Sequence, residues 1–134
     1  MGQDIRWKQR FENLQKAIER LKEALEAEQK EQSNHLYQIA VIGSFQFTYE
    51  LCWKTLKDFL NYNGVDVSLP RDVIKQAFHH QIISDGMLWI EMLEERNIME
   101  HVYQDSAAKK ALDNIKNKYV TAIFELFSFL DSKR

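Results

Sequence analysis

The sequence predicts an all-α protein, an antiparallel four-helix bundle with one additional short helix. Three observations support this fold class. The 134 residues include only four glycines and one proline, the residues that most often interrupt helices. Apolar side chains recur three and four residues apart over most of the chain, which is the period of one helix face. The chain is also rich in Leu, Glu, Lys, Ala and Ile, a composition that is typical of long helices rather than of sheets.

Length, charge and cysteine content narrow the class of protein. A chain of 134 residues is expected to form one domain, spanning residues 1–134. Its formal net charge of -2 lacks the basic excess that is typical of nucleic-acid or anionic-membrane binding. Cys52 is the only cysteine, which excludes an intrachain disulfide and fits a reducing cytoplasm. No apolar run approaches the roughly 18 residues of a membrane span, so we expect a cytoplasmic protein with no membrane segment.

The first two helices are predicted over residues 4–30 and 34–62. The first has apolar residues at Phe11, Leu14, Ile18, Leu21 and Leu25. The second has one apolar stripe at Ile39, Ile42, Phe45, Tyr49, Cys52, Leu56 and Phe59, and further apolar residues off it at Val41, Phe47, Leu51, Trp53 and Leu60. A helix that is apolar on two faces is central in its bundle or part of a subunit interface. Gly64 is the expected stop signal of this helix.

Three further helices are predicted in the second half of the chain. Pro70 sets the start of a short helix, and Ser84 or Asp85 caps the next helix, which carries Trp89 and Arg96. Asp105 or Ser106 caps the last helix. Its apolar positions again step by four and three, at Ala108, Leu112, Ile115, Tyr119, Ala122, Leu126 and Phe129. Five helices, one of them short, make a bundle with one connecting helix.

Metal and nucleotide motifs are missing from the sequence. A di-iron bundle needs Glu-x-x-His pairs, and none of the four histidines has a glutamate three residues before it. No two histidines have the i, i+4 spacing of a helical zinc site. Gly43-Ser44 lies within a predicted helix and is not followed by a pair of metal-binding aspartates. We therefore expect neither a metal nor a cofactor.

Arg96 continues an apolar stripe, which is an unusual place for a charge. The stripe consists of Trp89, Met92 and Leu93. An unpaired buried charge is costly, so Arg96 needs a carboxylate, a helix end or a functional role. His101 follows five residues later, about 140° around an unbroken helix. The two side chains can converge if the helix ends near Met99 or if a second copy of the chain supplies half of the site.

Arg96, Asn97, His101 and Tyr103 form the pattern R-N-x-x-x-H-x-Y. An arginine with a polar neighbour and a histidine about five residues on resembles the motif of the HEPN superfamily. The chain is most similar to HEPN proteins that partner a minimal nucleotidyltransferase, the nucleotidyltransferase substrate-binding proteins. The segments that carry this resemblance occur in the same order at residues 47–60, 69–78 and 89–97. The resemblance extends over nearly the whole chain.

The resemblance implies a homodimer in which the motif helices meet at a cleft. It also implies a cytoplasmic two-protein module with a minimal nucleotidyltransferase encoded nearby. Active members of the superfamily are metal-independent endoribonuclease toxins, so RNA would be the substrate. By analogy, His101 would be the general acid/base, Arg96 would hold the phosphate, and Asn97 would position the phosphate or the imidazole. Tyr103 would accept AMP from ATP, and the added bulk and charge would close the cleft to RNA.

The charges around the motif leave a second interpretation open. Five acidic residues crowd the motif and would repel an RNA backbone: Glu91, Glu94, Glu95, Glu100 and Asp105. Compensating charge is expected from elsewhere in the chain, at Arg71, Lys75, Lys109 and Lys110. The alternative to a nuclease is a noncatalytic adaptor that presents itself or another substrate to the nucleotidyltransferase.

Overall fold

The structure is a computed structural model that describes residues 2–99 and 105–134, with side chains for residues 2–96 and 106–134. The helices are α1 (Gly2–Lys30), α2 (His35–Tyr62), α3 (Pro70–His79), α4 (Gly86–Met99), α5 (Asp105–Asn114), a π-helical segment (Ile115–Tyr119) and α6 (Val120–Asp131). No described residue lies in a β-strand, so the all-α prediction is confirmed. None of the described helices is long and apolar enough to cross a membrane.

Helices α1 and α2 pack against each other in antiparallel orientation along most of their lengths. Near one end, the Trp7 ring meets the Phe59 ring edge-on with centroids 5.0 Å apart. Farther along, the Thr48 hydroxyl is 3.4 Å from the Ala17 carbonyl oxygen. The long helical hairpin predicted from the two apolar stripes is therefore present.

The last helix of the bundle is continuous from Asp105 to Asp131 but contains one π-helical turn. It runs antiparallel to α1, because the Lys116 ammonium pairs with Glu28 near the end of α1 at 2.8 Å while the Phe127 ring stacks on Phe11 near its beginning. A π-helical turn holds one more residue than an α-helical turn, so it changes the direction of the side chains beside it. The segment ends at Tyr119, which faces α4.

Large aromatic and aliphatic side chains fill the core between the helices. Each such side chain contributes roughly 1.5–3 kcal/mol when it is fully buried. The largest fully buried ones are Trp7, Trp89, Tyr49, Tyr119, Phe11 and Phe45.

One residue of the predicted α2 core stripe lies outside the core. Ile39 is 65% exposed, whereas Val41, which was expected off the stripe, is fully buried. From Phe45, two successive steps of three residues leave Ile39 about 120° away around the helix. A single step of four keeps Val41 on the buried side.

The helix ends follow the capping signals. The Asn34 side chain accepts a hydrogen bond from the Leu36 amide, and the Asp85 carboxylate accepts one from the Leu88 amide at 3.0 Å. Gly64 follows α2 with a φ of 87°, a left-handed conformation that glycine adopts with little strain. The Val65 amide then donates a hydrogen bond to the Leu60 carbonyl oxygen, which caps the end of the helix. The Asp85 cap fixes where α4, the motif helix, begins.

Candidate functional site

Arg96 lies near the carboxyl end of α4 and forms an ion pair with Glu50 of α2. The guanidinium Nη1 donates to the Glu50 Oε1, and the two side chains are 19% and 34% exposed. The sequence analysis expected a carboxylate, a helix end or a functional role for a charge on this apolar stripe, and the structure supplies a carboxylate. This carboxylate comes from a different helix, 46 residues earlier in the chain.

Glu50 also contacts two side chains of its own helix. Its Oε2 accepts a hydrogen bond from the Trp53 indole nitrogen at 3.0 Å and lies 4.0 Å from the Lys54 ammonium. Residues three and four positions apart share one helix face. One carboxylate therefore holds a guanidinium, an indole and an ammonium together on the surface of α2.

The residues directly before Arg96 tie the end of α4 to two other helices. Glu94 pairs with Arg71 of α3 at 3.4 Å, and Glu95 accepts a hydrogen bond from the Asn114 amide of α5 at 3.0 Å. Three consecutive side chains, Glu94 to Arg96, thus contact α3, α5 and α2. These contacts fix the position from which the chain enters the segment that contains His101.

The Tyr119 hydroxyl lies between two carboxylates of α4. It donates to Glu95 and is 2.8 Å from Glu91 Oε2, which is also 3.5 Å from the Lys118 ammonium. Burial raises the pKa of the Tyr119 phenol well above its usual range, and the hydrogen bonds with Glu95 and Glu91 raise it further. The π-helical turn thereby places a neutral donor against the acidic side of α4.

A second tyrosine joins α4 to α2 beside Glu50. The buried Tyr49 hydroxyl donates to the Trp89 carbonyl oxygen at 2.9 Å, and the two rings stack with centroids 5.8 Å apart. Burial raises the pKa of the Tyr49 phenol far above its ordinary value. The Arg96–Glu50 ion pair therefore joins the same two helices as the buried Tyr49–Trp89 contact.

Of the five acidic residues that argued against a nuclease, Glu91, Glu94 and Glu95 contact partners, and the side chains of the other two lie outside the described residues. Glu91 contacts Lys118 and Tyr119, and Glu94 contacts Arg71. Arg71, expected as a source of positive charge for the motif, neutralises Glu94. The repulsion that the sequence suggested is correspondingly reduced.

Three of the four predicted site residues cannot be compared with the structure. The Asn97 side chain, His101 and Tyr103 lie outside the described residues. Their convergence with Arg96 stays a prediction. Within the described residues, no group of three or more histidine, cysteine, aspartate or glutamate side chains is arranged to hold a metal ion.

Glu50 is the site residue that the sequence analysis missed. From Leu36 to Trp53 it is the only acidic or basic residue, and the next charged side chains of α2, Lys54, Lys57 and Asp58, all follow it. A carboxylate in an uncharged stretch of one helix and a guanidinium on the apolar stripe of another are a signal for a pair. Sequence could not supply the relative register of the two helices, which decides whether the pair can form.

The fold is that of HEPN proteins. A solved structure of the tri-AMPylated HEPN toxin of Shewanella oneidensis, in complex with the MNT antitoxin, matches with a TM-score of 0.72. The match covers 94% of this chain and 96% of that chain at 15% sequence identity. This similarity confirms the bundle architecture that the sequence predicted.

Sequence comparison gives the family. A Haemophilus influenzae protein described as a probable ribonuclease HepT is 27% identical over 90 residues, which span 63% of this chain and 62% of that relative. The model of the family described as "Nucleotidyltransferase substrate binding protein like" matches residues 9–132, and the chain belongs to this family. The resemblance drawn from residues 47–60, 69–78 and 89–97 is confirmed.

Proposed function

We propose that this protein is a metal-independent endoribonuclease toxin whose partner, a minimal nucleotidyltransferase, neutralises it by transferring AMP to Tyr103. The observation that carries the proposal is the half-buried Arg96 guanidinium, oriented by Glu50 at the end of the helix that leads to His101. A cation fixed in this way can stabilise a phosphate whose charge increases in the transition state. Family membership supports the nucleotidyltransferase as partner.

The proposed reaction uses the ribose 2′-hydroxyl as the nucleophile. His101 accepts its proton, and the 2′-oxygen attacks the neighbouring phosphorus. The bond from phosphorus to the 5′-oxygen breaks, and the leaving oxygen takes a proton from the imidazolium. The products are a 2′,3′-cyclic phosphate and a 5′-hydroxyl. Arg96 holds the phosphate, Asn97 positions it or the imidazole, and general acid/base catalysis of this kind contributes about 10²- to 10⁴-fold in rate.

A homodimer is part of the proposal. Helix α2 exposes an uncharged, largely apolar stripe at Leu36, Ile39, Gly43 and Phe47, and a Cβ at Gly43 would meet no atom within 4 Å. Because the stripe carries no charge, it is compatible with an identical stripe across a two-fold axis. It ends one turn before Glu50, so a second copy seated on it would lie beside the Arg96 site.

AMP transfer to Tyr103 would act as the off switch. The added nucleotide brings bulk and negative charge two residues after His101, where the RNA phosphate has to bind. A ribonuclease controlled in this way would act in the cytoplasm, on cellular RNA. The partner enzyme would recognise the unmodified toxin and use ATP as the AMP donor.

RNA cleavage in the presence of a chelator tests the proposal. The purified, unmodified protein should cut single-stranded RNA in excess EDTA, and Arg96→Ala or His101→Ala should abolish the cutting. Arg71→Ala, which removes the α3 arginine that pairs with Glu94 near the same end of α4, is the matched control and should retain most activity. Intact RNA with the wild-type protein, together with binding to a nucleotidyltransferase, would overturn the nuclease and support the adaptor.

Mass spectrometry tests the modification separately. Incubation with the partner nucleotidyltransferase and ATP should add the mass of AMP to the wild-type chain and leave Tyr103→Phe unchanged. An equal mass gain on Tyr103→Phe would reject Tyr103 as the acceptor.

A further inference from the structure

We infer that Trp53 and Lys54 form a binding subsite for one nucleotide of single-stranded RNA beside Arg96, and that Glu50 organises it. The ligand class rests on the proposed function. The site itself rests on the grouping of an aromatic face, two cations and one carboxylate on α2 and α4. Aromatic faces combined with cations are the features with which proteins bind single strands.

Trp53 differs from the other two tryptophans in its exposure. Trp7 and Trp89 are 0% and 2% exposed in the core, whereas Trp53 is only partly buried. Its indole N–H donates to Glu50 at 3.0 Å, which fixes the direction of the ring. A fixed, partly exposed indole is suited to stack on a base, because little side-chain entropy remains to be lost on binding.

The spacing along α2 places the Trp53 indole close to the phosphate that Arg96 would hold. Trp53 and Lys54 lie three and four residues after Glu50, within about 6 Å along the helix axis. A base stacked on Trp53 would therefore belong to a nucleotide next to the phosphate held by Arg96. The Lys54 ammonium lies over the Trp53 ring, 5.9 Å from its centroid, and would move from the ring to the backbone phosphate of the same nucleotide when a base stacks there.

The local charge also favours a phosphate chain. The ion pairs that α2 makes around this site join four cations, Arg10 of α1, Lys54, Lys57 and Arg96 of α4, to two carboxylates, Glu50 and Asp58. The excess is positive, although the whole chain has a net charge of -2. This excess of cations supplies an attraction for RNA that offsets the acidic residues around the motif.

Tryptophan fluorescence provides a direct test because Trp53 is the one indole that a ligand can reach among the three. The probe is a 2′-O-methyl oligoribonucleotide, which lacks the 2′-hydroxyl and cannot be cut by the proposed reaction. Its binding should quench the fluorescence of the wild-type protein, and Trp53→Phe should lose the quenching. Binding followed by fluorescence anisotropy should weaken about 5- to 150-fold in Trp53→Ala.

Two controls separate stacking from charge and from unfolding. Lys54→Gln should weaken binding, whereas Lys22→Gln should not, although the Lys22 ammonium also lies over a ring, 5.1 Å from the Phe124 centroid. An abasic oligonucleotide of equal length should bind without quenching. Circular dichroism of Trp53→Phe should match that of the wild type, since the buried Trp7 and Trp89 are unchanged.

The outcomes distinguish the subsite from the nuclease. Absence of quenching in a wild-type protein that cuts RNA in EDTA would overturn the subsite and leave the proposed function intact. Equal quenching by the abasic oligonucleotide would also overturn it. Trp53-dependent quenching in a protein that leaves RNA uncut would support the subsite while the proposed function fails.

Discussion

Glu50 on α2 and Arg96 on α4 form an ion pair that joins the central helix of the bundle to the helix of the predicted motif. Both side chains are partly exposed, so the pair contributes modestly to stability. It fixes the direction of the guanidinium, and this direction matters for a group that has to meet a phosphate.

Glu50→Gln should separate substrate binding from turnover. The glutamine oxygen can still accept the Trp53 N–H, so the loss of a negative charge beside the phosphate site should leave KM unchanged or lower it. The loss of a fixed guanidinium should lower kcat by about tenfold, which corresponds to about 1.4 kcal/mol of transition-state stabilisation. Steady-state cleavage kinetics measure both constants. Glu94→Gln, which removes the exposed partner of Arg71, is the control, and an unchanged kcat in Glu50→Gln would contradict the positioning role.

Asp58→Asn should destabilise the fold much more than the loss of a surface ion pair. The Asp58 side chain is 1% exposed and pairs with Arg10 at 2.7 Å. Disruption of a pair with one buried partner should lower the free energy of unfolding by about 2–3 kcal/mol. Asp131→Asn breaks an exposed ion pair with Arg134. It should lower the free energy of unfolding by about 0.5 kcal/mol or less. Urea denaturation measures both, and equal losses would contradict this assignment.

Tyr119→Phe should change how stability depends on alkaline pH. Burial and two carboxylates raise the pKa of the folded-state phenol, whereas the phenol of the unfolded chain has a pKa of about 10. Above pH 10, the unfolded state binds fewer protons than the folded state, so the free energy of unfolding falls as pH rises. Below that pH, the full contribution of Tyr119 to stability is present. At pH 7, the free energy of unfolding of Tyr119→Phe should be about 1 kcal/mol lower than that of the wild type. Above pH 10, it should fall less steeply than that of the wild type.

The matched control for that experiment is Tyr62→Phe, which removes an exposed phenol at the end of α2. The buried Tyr49 and Cys52 contribute to the alkaline decline of every variant, because burial raises the pKa of both groups. A Tyr119→Phe curve parallel to that of the wild type above pH 10 would contradict the prediction.

Phe47→Glu should convert the proposed dimer into a monomer. Phe47 is 63% exposed on the apolar α2 stripe, and a glutamate there would place two like charges near a two-fold axis. Sedimentation velocity measures the change. Phe78→Glu, which alters an exposed aromatic side chain on α3, should remain dimeric. A dimer that survives Phe47→Glu would exclude this stripe as the interface.

Much of the bundle could be predicted from the sequence because helices leave local signals. Pro70, Asp85 and Gly64 mark helix ends through backbone geometry and capping, which act within a few residues. The exposure of Ile39 shows where local reasoning fails. A stripe of apolar residues does not reveal how far the neighbouring helices cover it.

The site was less predictable because its contacts join distant parts of the chain. A carboxylate was one of three alternatives that the sequence left open for Arg96. Glu50 is 46 residues away, and only the packing of α4 on α2 brings the two together. Tyr119 was predicted as one more core position of the last helix. No local sequence pattern predicts the π-helical turn, and this turn places the Tyr119 hydroxyl against Glu91 and Glu95.

The most direct test of the central claim is to determine the chemical ends of the RNA fragments that the wild-type protein produces in excess EDTA. Mass spectrometry should find 2′,3′-cyclic phosphates and 5′-hydroxyls, and Arg96→Ala and His101→Ala should produce no fragments. Intact RNA with the unmodified wild-type protein, or fragments with 3′-hydroxyl ends, would contradict the account.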